Sequence, residues 1–366
     1  MKVLRLKTEN YRNLAAMEYT PGDGVNIICG ENGLGKTNLI ESIWLFTGCR
    51  SFRSIRDKDV VMFGQDEARL EMVFFSGSRN KTATITIDEK RHAQLNGIAL
   101  PSGRKMMGEF TCVAFTPLHL SIVKDGPEER RKFLDIALSQ LKPNYAKTLI
   151  EYNKALAQRN ATLRAVKDNM SYSPMLDIWD IELAQKGAAI IDTRMTFLES
   201  LKQFACPAYD EISSGKETLT LRYKEYAREK AQGRKEIAEC LLKALTQKRE
   251  SDLERCITSV GAHREEFSIE LSGKSARLYG SQGQQRSAAL SLKLAEADII
   301  AKATGEEPVI LLDDVFSELD PQRQKYVVSR LADRQVFITC CDEENIIRMS
   351  DFDVKVERLD KLKTGL

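Results

Sequence analysis

The stretch "CGENGLGKTN", residues 29–38, lies between an apolar segment, "GVNII", and a helix-like segment, "LIESIWLF". It contains the spacing G-x-x-x-x-G-K-T, in which glycines let backbone N–H groups turn towards phosphate oxygens at the start of a helix. Lys36 is expected to reach the β- and γ-phosphates of a nucleotide, and Thr37 to hold Mg²⁺. The alternative is a glycine-rich turn with an incidental lysine, which the flanking strand and helix patterns disfavour. We therefore predict a nucleotide-binding loop.

A second motif, "PVILLDDVFSELD", occupies residues 308–320. Its apolar run is typical of a buried parallel strand and ends in Asp313 and Asp314. We expect Asp313 to be the metal-associated carboxylate and Asp314 to polarise the attacking water. The alternative is an ordinary strand end with solvated acids. Two adjacent buried acids are costly without a cation, which favours Mg²⁺ between them and phosphate.

The spacing of these two motifs indicates an interrupted domain. Lys36 and Asp313 are 277 positions apart (313 − 36), and the block at about 128–256 carries apolar residues at helical spacing. Strand-like segments precede and follow that block. The sequence therefore predicts an α/β fold in which an N-terminal half (1–125) and a C-terminal half (258–366) meet around one sheet. A helical lid subdomain (126–257) is inserted between them.

A third motif, "YGSQGQQRSAAL", spans residues 279–290 and places small residues before a predicted helix. A hydroxyl, free N–H groups and a helix N-terminus together make a second anion site. A single chain does not need two such sites to bind one γ-phosphate. Two chains arranged head to tail do need them, because each chain's second site would complete the other chain's pocket. We therefore predict an ATP-dependent homodimer in which this signature loop completes the other chain's pocket. The loop residues are Ser281, Gln282, Gly283 and Gln284.

Composition excludes several classes of protein. The 366 residues include 55 Lys and Arg against 53 Asp and Glu, so any nucleic-acid surface must be local. No apolar run reaches the roughly 18 residues of a membrane span, and the first residues lack a signal peptide's apolar block. The 8 cysteines form no C-x-x-C pair and only 3 histidines occur, which favours reduced, buried thiols in a cytoplasmic protein over a zinc cluster or disulfide framework.

Two groups of arginines are candidates for sequence-independent contacts to DNA phosphates. Arg50, Arg53 and Arg56 follow the predicted P-loop helix at three-residue spacing. Arg130 and Arg131 lie at a predicted helix start, where positive charge opposes the helix dipole. A solvated loop is an equal alternative for the first group, and pairing with the acidic residues at 128–129 is the alternative for the second.

The three motifs, in this order, resemble the heads of the SMC-like branch of the ABC ATPases. The segments "NYRNL", "GPEERRKFLD", "KALAQRN" and "GAHREEF" extend the resemblance to the RecF family of recombination-repair ATPases over nearly the whole chain. Coiled-coil relatives carry hundreds of residues between the two halves, whereas this chain has a short helical insertion. The resemblance implies an α/β, ABC-type P-loop ATPase head, with a mixed sheet, a β-rich lobe and a helical insertion subdomain.

The resemblance also assigns site residues. Asp320 matches a loop that communicates between the two sites. The matches at the nucleotide are Arg12, Asn13, Gly30, Glu31, Asn32, Gly33, Leu34, Gly35, Lys36, Thr37 and Asn38. Three positions depart from the pattern: Asp314 stands where most ABC heads have glutamate, Cys341 near the place of a switch histidine, and Ala262 in place of proline. No glutamine occupies the metal-contacting loop, which is expected near residues 115–120.

The function implied by the resemblance is ATP-dependent DNA binding in recombinational repair, replication-fork maintenance and the SOS response. ATP and Mg²⁺ would join two heads that clamp duplex DNA near double-strand/single-strand junctions, and weak, DNA-stimulated hydrolysis would release it. The partners implied are the RecO and RecR mediator proteins, which help to load recombinase on gapped DNA. The alternatives are an ATP-dependent structural scaffold or a regulatory ATPase without a primary DNA role. A transporter subunit is disfavoured because no membrane span is predicted.

Overall fold

The computed structural model describes residues 1–53, 56–224, 233–316, 319–340 and 354–363. The chain divides into two compact units. The first unit comprises Met1–Leu120, Glu211–Gly215 and Arg286–Leu366, and the second comprises Ser121–Asp210 and Lys216–Gln285.

The strands, in chain order, are β1 Lys2–Tyr11, β2 Leu14–Tyr19, β3 Val25–Cys29, β4 Ala68–Ser76, β5 Arg79–Ile87, β6 Arg91–Leu95, β7 Ile98–Ala99, β8 Cys112–Phe115, β9 Leu219–Lys224, β10 Glu266–Leu271, β11 Lys274–Ser275, β12 Val309–Asp313, β13 Val336–Cys340 and β14 Val354–Arg358. The helices are α1 Lys36–Leu45, α2 Ser121–Lys124, α3 Pro127–Leu141, α4 Pro143–Asp168, α5 Pro174–Ser213, α6 Gly233–Gln247, α7 Arg249–Arg255, α8 Ala276–Tyr279, α9 Gln282–Thr304, α10 Pro321–Arg330 and α11 Leu359–Lys363. No helix among these described residues is long and apolar enough to cross a membrane.

The core of the first unit is a parallel sheet with strand order β14-β3-β13-β12-β8. Strands β3 and β8 come from the N-terminal half of the chain, and β12 to β14 come from the C-terminal half. The prediction that the two sequence halves meet around one sheet is therefore confirmed. Every residue of β3, β12 and β13 is buried, which is typical of mostly apolar strands inside a parallel sheet.

A six-stranded antiparallel sheet, ordered β2-β1-β4-β5-β6-β7, forms the rest of the β structure of the first unit. Its strands alternate between buried and more exposed positions, because one face packs on the core. Phe74 of β4 meets Phe110 at a ring-centroid distance of 5.3 Å in an edge-on arrangement. Strands β1, β4 and β5 belong to the strand-like region that the sequence predicted before the helical block.

The second unit combines helices with a three-stranded antiparallel sheet, ordered β11-β10-β9. Strand β9 lies inside the block that the sequence predicted as helical. It pairs with β10 through six residue pairs, including Phe267 with Tyr223, so the second unit extends past the predicted boundary at 257 as far as Gln285. As a statement about independently folding domains, the division into 1–125, 126–257 and 258–366 stays a prediction.

Candidate functional site

The predicted nucleotide loop connects β3 to α1 and depends on its glycines. Gly30, Gly33 and Gly35 have φ values of 153°, 86° and 106°, which L side chains rarely adopt. A Cβ atom on Gly35 would lie 2.4 Å from Oδ1 of Asn13. The loop therefore needs glycine here both for its backbone conformation and for this close approach.

Lys36 is the first residue of α1, and its side chain folds back over the loop. Its Nζ donates to the carbonyl oxygens of Gly30 at 2.5 Å and of Glu31 at 3.1 Å. These bonds hold a cation at the start of a helix, beside backbone that turns inward. This is the arrangement in which a lysine can exchange carbonyl acceptors for phosphate oxygens.

Thr37 and Asp313 meet although the sequence separates them widely. Thr37 Oγ1 donates to Asp313 Oδ1 at 2.8 Å, and Thr339 Oγ1 donates to the same oxygen at 2.9 Å. Asp313 is 5% exposed, and burial raises the pKa of its carboxyl, although the two hydroxyls and the charge of Arg53 oppose that rise. A buried carboxylate beside a hydroxyl oxygen fits Mg²⁺, which prefers oxygen ligands and offsets the charge.

Asp314 differs from its neighbour in exposure and backbone conformation. It is exposed, with a φ of 55°, a left-handed conformation that aspartate tolerates better than most residues. Its backbone N–H donates to Thr339 Oγ1 at 3.0 Å. Thr339 therefore orients both acidic residues, a role that the sequence analysis missed. The available signal was its position on β13, where it is the register partner of Asp313.

Asn13 and Asn38 support the loop from the side of β1. Asn13 Nδ2 donates to the carbonyl oxygen of Gly33 at 2.8 Å, and Asn38 Nδ2 donates to Asn13 Oδ1 at 2.8 Å. Arg53 Nη1 donates to Asn38 Oδ1 at 3.0 Å. The two asparagines thus lie together at the nucleotide loop, and Arg53, predicted for DNA, joins them there.

Arg12 lies beside a buried carboxylate that the sequence analysis also missed. Its Nε donates to Glu41 Oε2 at 2.5 Å, and Glu41 also accepts from Tyr11 at 2.8 Å and from Ser51 at 2.5 Å. Glu41 is fully buried within the apolar face of α1. An acidic residue inside the apolar pattern "LIESIWLF" was the available signal, because a buried charge needs partners.

The other candidate DNA contacts occupy different environments. Arg50 and Arg56 are exposed on the segment after α1, whereas Phe52 between them is buried and packs on Trp44 at a ring-centroid distance of 6.2 Å. Residues 54 and 55 lie outside the described part of the chain.

In the second unit, Arg130 is buried and donates through Nε to Glu266 Oε2 at 3.0 Å and through a second, shorter bond from Nη2. Its guanidinium is therefore buried and has an intramolecular partner, which argues against the predicted contact of Arg130 with DNA. Arg131 is half-buried, and desolvation, then the nearby charge of Arg194, lowers its pKa.

The signature loop comprises Ser281, just before α9, and the first three residues of that helix, and it belongs to the second unit. The backbone N–H of Ser281 donates to Gln284 Oε1 at 2.6 Å, and the backbone N–H of Gln284 donates to Ser281 Oγ at 3.3 Å. This reciprocal pair is a capping box, which fixes the loop at the helix start. Ser281 and Gln282 are exposed, so these two residues are accessible to solvent.

Asp320 caps the next helix of the first unit. Its carboxylate accepts from the backbone N–H of Arg323 at 3.0 Å and pairs with the Arg323 guanidinium. The backbone hydrogen bond is the main cause of the lowered pKa of Asp320. At the predicted metal-contacting loop, His119 Nδ1 accepts from the backbone N–H of Thr116 at 2.9 Å. Cys341 lies outside the described residues.

The segment "GAHREEF" makes close contacts and hydrogen bonds within the second unit. A Cβ on Gly261, whose φ is 136°, would lie 2.4 Å from the hydroxyl of Tyr152. His263 joins that hydroxyl, 2.7 Å from Nδ1, to the carbonyl oxygen of Thr258, 3.0 Å from Nε2. Burial lowers the pKa of His263 to about 4. Ala262 contributes its carbonyl oxygen to Arg194 at 2.6 Å, a contact that a side-chain change leaves available.

Residues 2–363 match the family model described as the RecF/RecN/SMC N terminal domain. The DNA replication and repair protein RecF of Clostridium perfringens is 37% identical over 361 residues, which cover 98% of each chain. The protein of the same name from Ruminiclostridium cellulolyticum is 39% identical over 349 residues, which cover 94% of each chain.

Solved structures of RecF and of an Smc head are also similar to this chain. The recombination mediator protein RecF-ATPrS in the RecFOR pathway has a TM-score of 0.89 and 37% identity, covering 94% of this chain and 93% of that one. The Smc head domain with an extended coiled coil from Pyrococcus furiosus, bound to the C-terminal domain of ScpA, has a TM-score of 0.54 at 15% identity. It covers 95% of this chain and 92% of that one, and it bears on the fold alone. The predicted ABC-type ATPase head is confirmed.

Proposed function

Because this chain belongs to the RecF family of ABC-type ATPases, we propose that it binds DNA in an ATP-dependent manner during DNA replication and repair. The observation that carries the proposal is the hydrogen bond of 2.8 Å between Thr37 Oγ1 and Asp313 Oδ1. It lies at the end of a loop whose carbonyl oxygens accept hydrogen bonds from Lys36. The full-length similarity to RecF proteins supports the assignment of that site to DNA repair.

In the proposed cycle, ATP lies along residues 30–38, with Lys36 on the β- and γ-phosphates. Thr37 and Asp313 would hold Mg²⁺, which would supply charge stabilisation for the transferring phosphoryl group. Asp314 is exposed beside them and polarises the attacking water. Its side chain is one methylene shorter than the glutamate of most ABC heads, so we propose slow hydrolysis that acts as a timer.

We propose that ATP joins two copies of the chain head to tail. The support is the signature loop, in which a capping box holds Ser281 at the start of the 23-residue helix α9 and leaves it exposed. An exposed hydroxyl at a long helix N-terminus suits the γ-phosphate held by a second copy. We also propose that Asp320, which caps α10, communicates between the two sites, a role that the family resemblance supports.

Among the candidate DNA contacts, Arg50 and Arg56 fit a phosphate-binding role best, because both are exposed on the segment after α1. Arg131 is a weaker candidate because it is half-buried. Arg53 fits the nucleotide loop through its bond to Asn38. Contacts of this kind fix the position of a duplex without reading its sequence.

We further propose that the chain works with the RecO and RecR proteins to load recombinase on gapped DNA. The support is the similarity to a solved structure whose name places it in the RecFOR pathway. A recombinase-loading assay on gapped DNA, with RecO and RecR present and this chain added or omitted, tests that role. No acceleration by the chain would exclude it.

DNA affinity in the two nucleotide states tests the main proposal. The variant Asp314→Asn is expected to bind a labelled duplex with a single-stranded overhang tightly in ATP and weakly in ADP, as measured by fluorescence anisotropy. Lys36→Ala is expected to bind weakly in both. Equal affinity of Asp314→Asn in ATP and ADP would contradict the coupling of DNA binding to ATP.

The same assay tests the arginines. The double variant Arg50→Ala/Arg56→Ala is expected to bind all DNA sequences more weakly. The slope of the logarithm of the binding constant against the logarithm of the salt concentration is expected to fall by the amount that corresponds to about two phosphate contacts. Arg69→Ala/Arg79→Ala, which removes two exposed arginines of the antiparallel sheet, serves as the matched control. An equal effect in both double variants would exclude a specific role for Arg50 and Arg56.

A further inference from the structure

Two cysteines from opposite ends of the chain meet at the edge of the nucleotide loop. Cys29 ends β3 and Cys340 ends β13, and they are direct register partners in the parallel sheet. Their Sγ atoms are 3.3 Å apart. The residues are 5% and 6% exposed, so they are shielded without being fully sealed from solvent.

The positions suit a disulfide bond. Neighbouring strands lie about 4.8 Å apart, which falls inside the roughly 4.4–6.8 Å range of Cα separations in disulfides. An S–S bond of about 2.05 Å requires the two sulfur atoms to approach by about 1.2 Å.

Each cysteine adjoins one half of the nucleotide site. Cys29 precedes Gly30, whose carbonyl oxygen accepts from Lys36 at 2.5 Å. Cys340 follows Thr339, whose hydroxyl donates to Asp313 at 2.9 Å. Drawing the two sulfur atoms together therefore displaces the start of the phosphate-binding loop relative to the metal-binding carboxylate.

We propose that Cys29 and Cys340 form a reversible redox modification site whose oxidant is a low-molecular-weight disulfide, and that the bridged form loses nucleotide binding. One protein thiolate attacks the oxidant, forms a mixed disulfide and releases one small thiolate. The other protein thiolate attacks the protein sulfur of that mixed disulfide and releases the second. Two protein thiols are oxidised, the oxidant is reduced to two small thiols, and these take up both protons.

The buried cysteines of the first unit differ in how well they suit thiol–disulfide exchange. Burial raises the pKa of Cys49 to about 11 and that of Cys112 well above its usual value. Because the thiolate is the reactive form, burial slows exchange at these two residues, and what distinguishes Cys29 and Cys340 is the position of their sulfur atoms. The contact between Cys29 and Cys340, by contrast, already places two sulfur atoms side by side.

Peptide mapping tests the bridge directly. Tryptic cleavage gives a peptide of residues 13–36, with Cys29 as its one cysteine, and a peptide of residues 335–348, with Cys340 and Cys341. The experiment therefore uses the full chain with Cys341→Ser, so that the bonded cysteine is unambiguous. After treatment with oxidised glutathione and blocking of remaining thiols, mass spectrometry is expected to detect the two peptides linked, with dithiothreitol releasing them.

Nucleotide binding is measured on the same samples with a fluorescent ATP analogue. Oxidation is expected to abolish binding and dithiothreitol to restore it. Adding Cys29→Ser is expected to remove both the linked peptides and the loss of binding. Cys206→Ser, which removes a partly exposed thiol of the second unit, is expected to leave both responses unchanged.

Two results would overturn the inference: no linked peptides although other cysteines become modified, or linked peptides with unchanged nucleotide binding. The effect on nucleotide binding rests on the proposed function, whereas formation of the bridge does not. Failure of the reduced protein to bind the analogue would therefore count against the proposed function and would leave the linked peptides as a separate result.

Discussion

At the scale of single residues, the carboxylate of Asp313 connects the two motifs of the nucleotide site. It accepts hydrogen bonds from Thr37 and Thr339 and is buried at the end of β12. The sequence could predict Lys36, Thr37 and Asp313, because their motifs have a fixed spacing and a fixed chemistry. It could not predict Thr339, because only strand register brings that hydroxyl beside the acid.

Replacing Asp313 with Asn removes a buried charge while keeping an oxygen that can accept hydrogen bonds from the hydroxyls of Thr37 and Thr339. We expect the free energy of unfolding without nucleotide to rise by about 1 kcal/mol at neutral pH. Because burial raises the pKa of Asp313 in the folded state, this gain disappears as pH falls below the ordinary carboxyl range. Mg²⁺-ATP is expected to add no stability to the variant, as measured by thermal unfolding.

The matched control is Asp314→Asn, which changes the exposed neighbouring acid. It is expected to keep the stability gained from Mg²⁺-ATP and to lose turnover. If Mg²⁺-ATP stabilised Asp313→Asn as much as the unchanged protein, Asp313 would not be a metal ligand.

At the scale of elements, the second unit is held together by buried charges that join distant segments. Arg159 of α4 is fully buried and donates to Asp180 of α5 at 2.6 Å and to Asp252 of α7 at 2.7 Å. Apolar periodicity predicted these helices, but it carries no information about which charged residues pair. It also missed β9, which is one short strand in a helical block and gains its stability from pairing with β10.

Replacing Arg159 with Ala leaves two buried carboxylates without their shared cation. We expect a loss of about 3–5 kcal/mol in the free energy of unfolding of the second unit, measured by hydrogen exchange of α4, α5 and α7. Arg164→Ala, on the exposed side of the same helix, is expected to change that free energy by less than about 0.5 kcal/mol. Similar losses in both variants would contradict the role given to the ion pairs.

At the scale of the whole molecule, the three motifs are divided between the two compact units. The nucleotide loop and the acidic strand end come together in the first unit, whereas the signature loop belongs to the second. The sequence predicted the joining of the two halves because strand-like segments precede and follow the helical block and the two nucleotide motifs lie on either side of it. It could not place the unit boundary at Gln285, which depends on the pairing of β9 with β10.

The measurement that tests the shared nucleotide site most directly is the mass of Asp314→Asn by light scattering with ADP and with ATP. We expect a monomer in ADP and a dimer in ATP. Adding Ser281→Arg is expected to abolish the dimer, while Ser171→Arg, an exposed serine between α4 and α5, leaves it intact. A chain that binds ATP yet stays monomeric, or a dimer unaffected by Ser281→Arg, would contradict the role of the signature loop in a second copy's site.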